Sequence, residues 1–222
     1  MLREATLVAR KDLRVELRSR VTTNQVVPFA LVVLVLFAFA LDPDRGVLER
    51  ATPGLYWVAV LFCALLAVQR AFAVEAADGI RDALRLTGIE PAGLYLGKAL
   101  AVAVQLLVLE VLLGLGVVVL YDTALGGWGL LIATCLVATA GIAAAGTLFG
   151  VLAAGLRVRE TLLPLLLLPA LAPVLLATTR ASEAALGDDT AEGWPWLGLL
   201  GVFALVYLTA GLIGFGALME DT

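Results

Sequence analysis

The sequence contains no histidine. That removes the commonest metal ligand, the commonest general base and the commonest haem axial ligand together. No metal site and no directly bound cofactor is expected, and cofactor chemistry nearby would belong to another molecule. Cysteine is scarce as well. Cys63 and Cys135 lie inside separate apolar runs and form no C-x-x-C pair, so both read as small buried hydrophobes. The elements of a hydrolase are missing too: there is no Gly-x-Ser-x-Gly elbow, no histidine-based triad and no two-carboxylate arrangement. Only 15% of the residues are charged, against about a quarter in a soluble domain.

What the chain has in abundance is apolar side chain. Of 222 residues, 62% are hydrophobic, and the mean hydropathy of +1.02 is that of an integral membrane protein. At about 20 residues per crossing, this length accommodates six helical spans joined by short loops. The expected fold is therefore a single all-α transmembrane domain covering 1–222. It leaves no room for a separate soluble catalytic domain.

Residues 1–20 read as an amphipathic interfacial helix. Leu2, Ala5, Ala9, Leu13 and Leu17 form one stripe, and Arg3, Arg10, Lys11, Arg14 and Arg18 cluster on the opposite arc, toward lipid headgroups. Glu4, Asp12 and Glu16 interrupt the basic run, so no nucleic-acid partner is expected. Spans are expected at about 21–41, 53–74, 99–120, 128–156, 161–179 and 194–218. The exit of the first, Ala38-Phe39-Ala40, imitates a signal-peptidase site. The segment before it is too long and too mixed in charge, so no cleavage is expected. Polar loops are expected at Asp42–Thr52 and Arg180–Gly193, and Tyr56-Trp57 is placed at interfacial depth. Lys98 is expected to snorkel at its end of the third span. The fifth run carries Pro164, Pro169 and Pro173, which predicts a kinked or broken helix with a re-entrant far half. Gly146, Gly150 and Ala154 make a small-residue ridge on the fourth span that permits close helix approach.

Lysine and arginine set the expected topology. The N-terminal segment, the region Arg70–Lys98 and the Arg157–Arg159 turn together hold twelve; the alternate loops hold only Arg45, Arg50 and Arg180. The asymmetry puts both termini in the cytoplasm.

The longest polar interval between apolar runs, Glu75 to Lys98, then falls on the cytoplasmic side. Ile80, Ala83, Leu84 and Thr87 recur at helical spacing, with Asp78, Arg81, Asp82 and Arg85 on the other faces and Gly79, Gly88 and Pro91 at its boundaries. A solvated connecting helix is one reading. A docking helix gripped by a soluble partner is the other. Membrane-surface helices favour a strongly basic polar face, whereas this one alternates Asp and Arg. Mixed charge around an apolar stripe suits a protein groove.

Two further features invite chemistry. Gly93-Leu-Tyr-Leu-Gly97-Lys98 superficially resembles a phosphate-binding loop, but it has one residue too few between the glycines, lacks the following Ser/Thr, and precedes a span. The chain is therefore not expected to hydrolyse ATP. Glu110 lies near the middle of the third span, where a lone charge costs about 2.5–3.5 kcal/mol. Gln105 is too far along the helix to serve it, so a hydrogen bond to a neighbouring helix and a role in substrate or proton handling both stay open.

One set of motifs remains: Ala51-Thr-Pro53-Gly54-Leu-Tyr-Trp57-Val-Ala59, Leu65-Leu-Ala67…Arg70-Ala-Phe72, Asp78-Gly79…Leu84, Lys98 and Leu168-Pro169…Pro173. On these residues, and over nearly its whole length, the chain resembles haem exporter protein B, the permease subunit of the ABC transporter of bacterial cytochrome c maturation. Gln69 departs from the acidic residue expected beside Arg70, so no ion pair is carried over there. The resemblance implies the six-span type-2 ABC exporter layout in the bacterial inner membrane. It implies a non-catalytic subunit, paired with a second copy as such permeases are, and driven by two cytoplasmic ATPase subunits that dock on the Asp78–Arg85 coupling helix. Further haem-handling membrane subunits accompany it, with haem as transported or partner-held ligand. The alternatives are an exporter of another hydrophobic substrate, an intramembrane enzyme built on Glu110, and a structural assembly subunit.

Overall fold

The computed structural model describes residues 1–19, 22–41, 45–77, 90–121, 123, 126–154, 159–187 and 190–220. They form seven α-helices: α1 (Leu2–Ser19), α2 (Val27–Leu41), α3 (Arg45–Ala77), α4 (Pro91–Tyr121), α5 (Trp128–Ala154), α6 (Arg159–Leu186) and α7 (Gly193–Glu220). A π-helical turn, Thr22–Val26, precedes α2, and a 3₁₀ turn, Thr190–Glu192, precedes α7. All but α1 are long and apolar enough to cross a membrane. The protein is an all-α, multi-pass membrane protein.

The bundle is organised around α5, which packs against α3, α4, α6 and α7. Its sequence explains that position. Ala138, Ile142, Ala143, Ala144 and Ala145 are all buried, and a helix surfaced with alanine admits several neighbours at short range. Close approach needs glycine at two places on α5. A methyl group at Gly146 would stand 2.6 Å from Val68 Cγ2 of α3, and one at Gly150 would overlap the Phe72 ring. Tyr95 of α4 is fully buried, and its hydroxyl lies 3.1 Å from the Ala144 carbonyl of α5 and 2.9 Å from the Tyr207 carbonyl of α7.

Helix ends depart from the sequence reading in three places. The second membrane helix begins at Arg45, not at Pro53, so the expected loop 42–52 is helical from residue 45. Pro53 removes one donor to the Glu49 carbonyl, while the Thr52 hydroxyl (2.8 Å to the Leu48 carbonyl) and the Arg50 guanidinium (3.0 Å to the Gly46 carbonyl) bond back onto the preceding turn. The fifth run is one unbroken helix through Pro164, Pro169 and Pro173, and it continues to Leu186. Neither the re-entrant half nor most of the 180–193 loop exists; packing against α3, α5 and α7 holds the helix across its missing bonds. Residue Pro91 starts α4 eight residues before the expected span, at the helix position that suits proline best.

The amphipathic stripe of α1 is also rotated. Ala5, Val8 and Ala9 are buried, whereas Leu2 and Leu17 are each 77% exposed. The helix turns a small-residue face with acidic flanks inward, because its counter-charges stand there, Lys98 on α4 and Arg70 on α3.

Candidate functional site

The sequence-derived residues fall into three places, not one. Pro53, Gly54 and Trp57 lie at one end of α3, and Arg70 lies some 25 Å along the same helix at about 1.5 Å per residue. Gly146 and Gly150 join Arg70 at its end, and Glu110 occupies the middle. Ala154 closes the described part of α5. Asp78, Gly79, Ile80, Arg81, Asp82, Leu84 and Arg85 lie outside the described residues, between the end of α3 and the start of α4.

At the Pro53 end, Trp57 is 1% exposed, buried inside the bundle instead of facing the membrane interface. Its indole donates a 2.9 Å hydrogen bond to Ser182 Oγ of α6. An indole N–H needs an acceptor once buried, and the extended α6 supplies one. A methyl group at Gly54 would stand 3.9 Å from the Thr179 methyl, an ordinary contact.

In the middle, Glu110 is 3% exposed. Thr139 of α5 donates to its Oε1, while the Tyr56 hydroxyl donates to its backbone carbonyl at 3.1 Å and lies 3.9 Å from Cys135 Sγ. Its Oε2 has no hydrogen-bond partner among the described residues. Three helices thus meet at this one residue, α5 on its carboxyl group and α3 on its backbone carbonyl, sealed from outside. Of the two readings that the sequence left open for Glu110, the hydrogen bond to a neighbouring helix is present, and its donor, Thr139, lies 29 residues on.

The Arg70 end is the most charged. Arg70 Nε donates to Glu16 Oε2 of α1 at 2.7 Å, so an ion pair does form, with an acid from α1 in place of the local one. Lys98 does not snorkel. It is 2% exposed, its ammonium 3.8 Å from Asp12 Oδ2 and 4.8 Å from the centroid of the Phe72 ring. A carboxylate and an aromatic face together replace the water that a surface lysine would hold. The glycines of the Gly93–Lys98 motif form the seat of α1: a methyl at Gly97 would meet Val8 Cβ at 2.6 Å, and one at Gly93 would meet Glu4 Oε2 at 2.8 Å. The terminal amino group of Met1 pairs with Glu4 at 3.0 Å and Glu90 at 3.5 Å, and the Glu4 hydrogen bond raises its pKa above the ordinary value.

The sequence reading missed Asp12 and Glu16 as site residues. Their signal was present: two acids four residues apart, on the face carrying Ala5, Val8 and Ala9, in an otherwise basic helix. Among the described residues no group of three or more His, Cys, Asp and Glu side chains could hold a metal ion. The arrangement offers mechanical linkage, with ion pairs and close packing converging where α3 ends and α4 begins.

The chain matches the family model described as CcmB protein over residues 3–220. It is similar to three proteins named Heme exporter protein B. That of Haemophilus influenzae is 30% identical over 80% of each chain. That of Bradyrhizobium diazoefficiens is 30% identical over 91% of this chain and 90% of its own. That of Paracoccus denitrificans is 31% identical over 93% of each.

Proposed function

We propose a haem-export function on the premise that the chain belongs to the CcmB protein family. It is the membrane permease subunit of a haem exporter serving cytochrome c maturation, and haem is the substrate of the complex. The observation that carries this reading is similarity to relatives named Heme exporter protein B along nearly the full length, on a chain with six membrane-spanning helices.

The finer assignments follow from the residues. The chain lacks a phosphate-binding loop, so a pair of partner ATPases in the cytoplasm supplies the energy. They dock on the amphipathic stretch Asp78–Ile89, where Ile80 and Leu84 are the apolar anchors and Asp82 and Arg85 set the register. The permease pairs with a second copy and works beside further haem-handling membrane subunits. It lies in the bacterial inner membrane with both termini inside, as the cation asymmetry favours. With no imidazole to hold haem and Glu110 engaged by Thr139, the chain transmits force and performs no chemistry of its own.

Deleting the gene from its host should abolish covalent haem attachment to c-type cytochromes, read by haem staining, and re-expression should restore it. Leu84→Asp should insert normally but lose both ATPase co-purification and maturation. Normal cytochromes in the deletion strain would overturn the function, and a Leu84→Asp variant that keeps its ATPase would overturn the docking assignment.

A further inference from the structure

The Gly93-x-x-x-Gly97-Lys98 motif binds no phosphate, yet it is too tightly built to be a mere helix start. Its two glycines face α1 with no space for a side chain, and its lysine is almost completely buried beneath α1. A small-residue pair four apart brings two helices to close range. Burying an ammonium is unfavourable unless a counter-charge accompanies it, and Asp12 provides that charge.

The connections of α1 are as informative as its seat. Through Glu16 it holds Arg70, near the end of α3; through Asp12, Val8 and Glu4 it holds Lys98, Gly97 and Gly93, at the start of α4. These are the two stems of the 78–89 segment. Phe72 extends the linkage inward, with one side of its ring toward the Lys98 ammonium and its edge against Gly150 of α5. Four helices therefore meet at one node, and α1 reaches both stems.

We propose that α1 is a strap that makes the two stems of the 78–89 segment move as one body, with Glu16–Arg70 and Asp12–Lys98 as its fastenings. The proposal deepens the permease reading, on which its functional half rests. Without the strap, a push on the segment would bend either stem alone. With it, the push reaches α3, α4 and, through Phe72, α5 together. Arg70 and Lys98 are then positioning residues for force transfer.

Charge reversal tests this in the full-length protein with its partners. The seat is read by thiol labelling of Ala9→Cys in membranes, with Cys63 and Cys135 replaced by serine. Ala9 is 4% exposed, so it should be protected. Glu16→Arg and Arg70→Glu should each raise its labelling rate by about tenfold, as a local opening equilibrium loses an ion pair and gains a repulsion. Each should also lower cytochrome c maturation by a similar factor while ATPase co-purification stays unchanged. The double swap, Glu16→Arg with Arg70→Glu, should restore both readouts, and the milder Glu16→Gln should show the same pattern more weakly should a reversal fail to insert. Protection unchanged in the single variants, or a double swap as impaired as they are, would overturn the fastening. Increased labelling with full maturation would overturn the role in force transfer. Failure of the parent chain to support maturation would strike the haem-export reading, leaving the labelling arm to judge the fastening by itself.

Discussion

Adding one methyl group at residue 150 should destabilise the protein, although the same change usually stabilises a helix. Gly→Ala inside a helix contributes about 0.5–1 kcal/mol of stability through backbone entropy. Gly114 of α4, with nothing within 4 Å of the position a Cβ would take, should show that gain undiminished. At Gly150 the new carbon would overlap the Phe72 ring edge and lie 2.9 Å from its Cζ. The ring cannot retreat freely, because Phe72 is 4% exposed and its face is 4.8 Å from the buried Lys98 ammonium. Overpacking of this kind costs about 1–3 kcal/mol. The penalty exceeds the propensity gain, leaving a net loss near 1 kcal/mol, or about 2–4 °C in Tm for a chain of this size. Thermal unfolding in detergent, followed by tryptophan fluorescence, measures both variants; the buried Trp57 is a suitable reporter. Gly114→Ala should melt above the parent and Gly150→Ala below it, while Gly150→Leu should fall further. Adding Phe72→Leu to Gly150→Ala should recover part of the loss. A Gly150→Ala protein that melts at or above the parent would refute the reasoning.

Thr139→Val should lower stability by about 0.6–1.7 kcal/mol, the range of an interhelical hydrogen bond in a membrane. The effect should largely vanish in a Glu110→Leu background, and an undiminished loss there would show that Glu110 is not what Thr139 serves. Cysteine placed at Asp188 should react with an impermeant reagent applied to intact cells, and cysteine placed at Arg85 should not; the reverse pattern would invert the proposed topology.

The six spans were legible because their information is local: each is a run of apolar residues long enough to cross a bilayer. Their ends were less so. Residues 45–52 and 180–186 are polar enough to resemble loops, but an established helix extends through such residues when its neighbours hold it. The prolines of α6 misled for a related reason. They report the backbone's intrinsic preference, and tertiary packing decides against it. The charged node was least legible. Arg70 and Glu16 are 54 residues apart in sequence, and no periodicity within either helix reveals that they meet. Lys98 resembled an interfacial lysine because its surroundings, Asp12 and Phe72, are supplied by two other helices. Glu110 was visible as an anomaly, but its partner Thr139 was not, since α5 carries several threonines of similar appearance.

Tyr95 places one hydroxyl proton between two carbonyl oxygens, at 3.1 Å on α5 and 2.9 Å on α7. A phenol has a single hydrogen to donate, so at any moment one acceptor is served and the other waits. The two arrangements differ little in geometry and therefore in energy. A shift of α5 against α7 by a fraction of an ångström would therefore hand the bond from one carbonyl to the other without leaving the phenol unpaired, so that this one hydroxyl ties α4 to both neighbours in either arrangement.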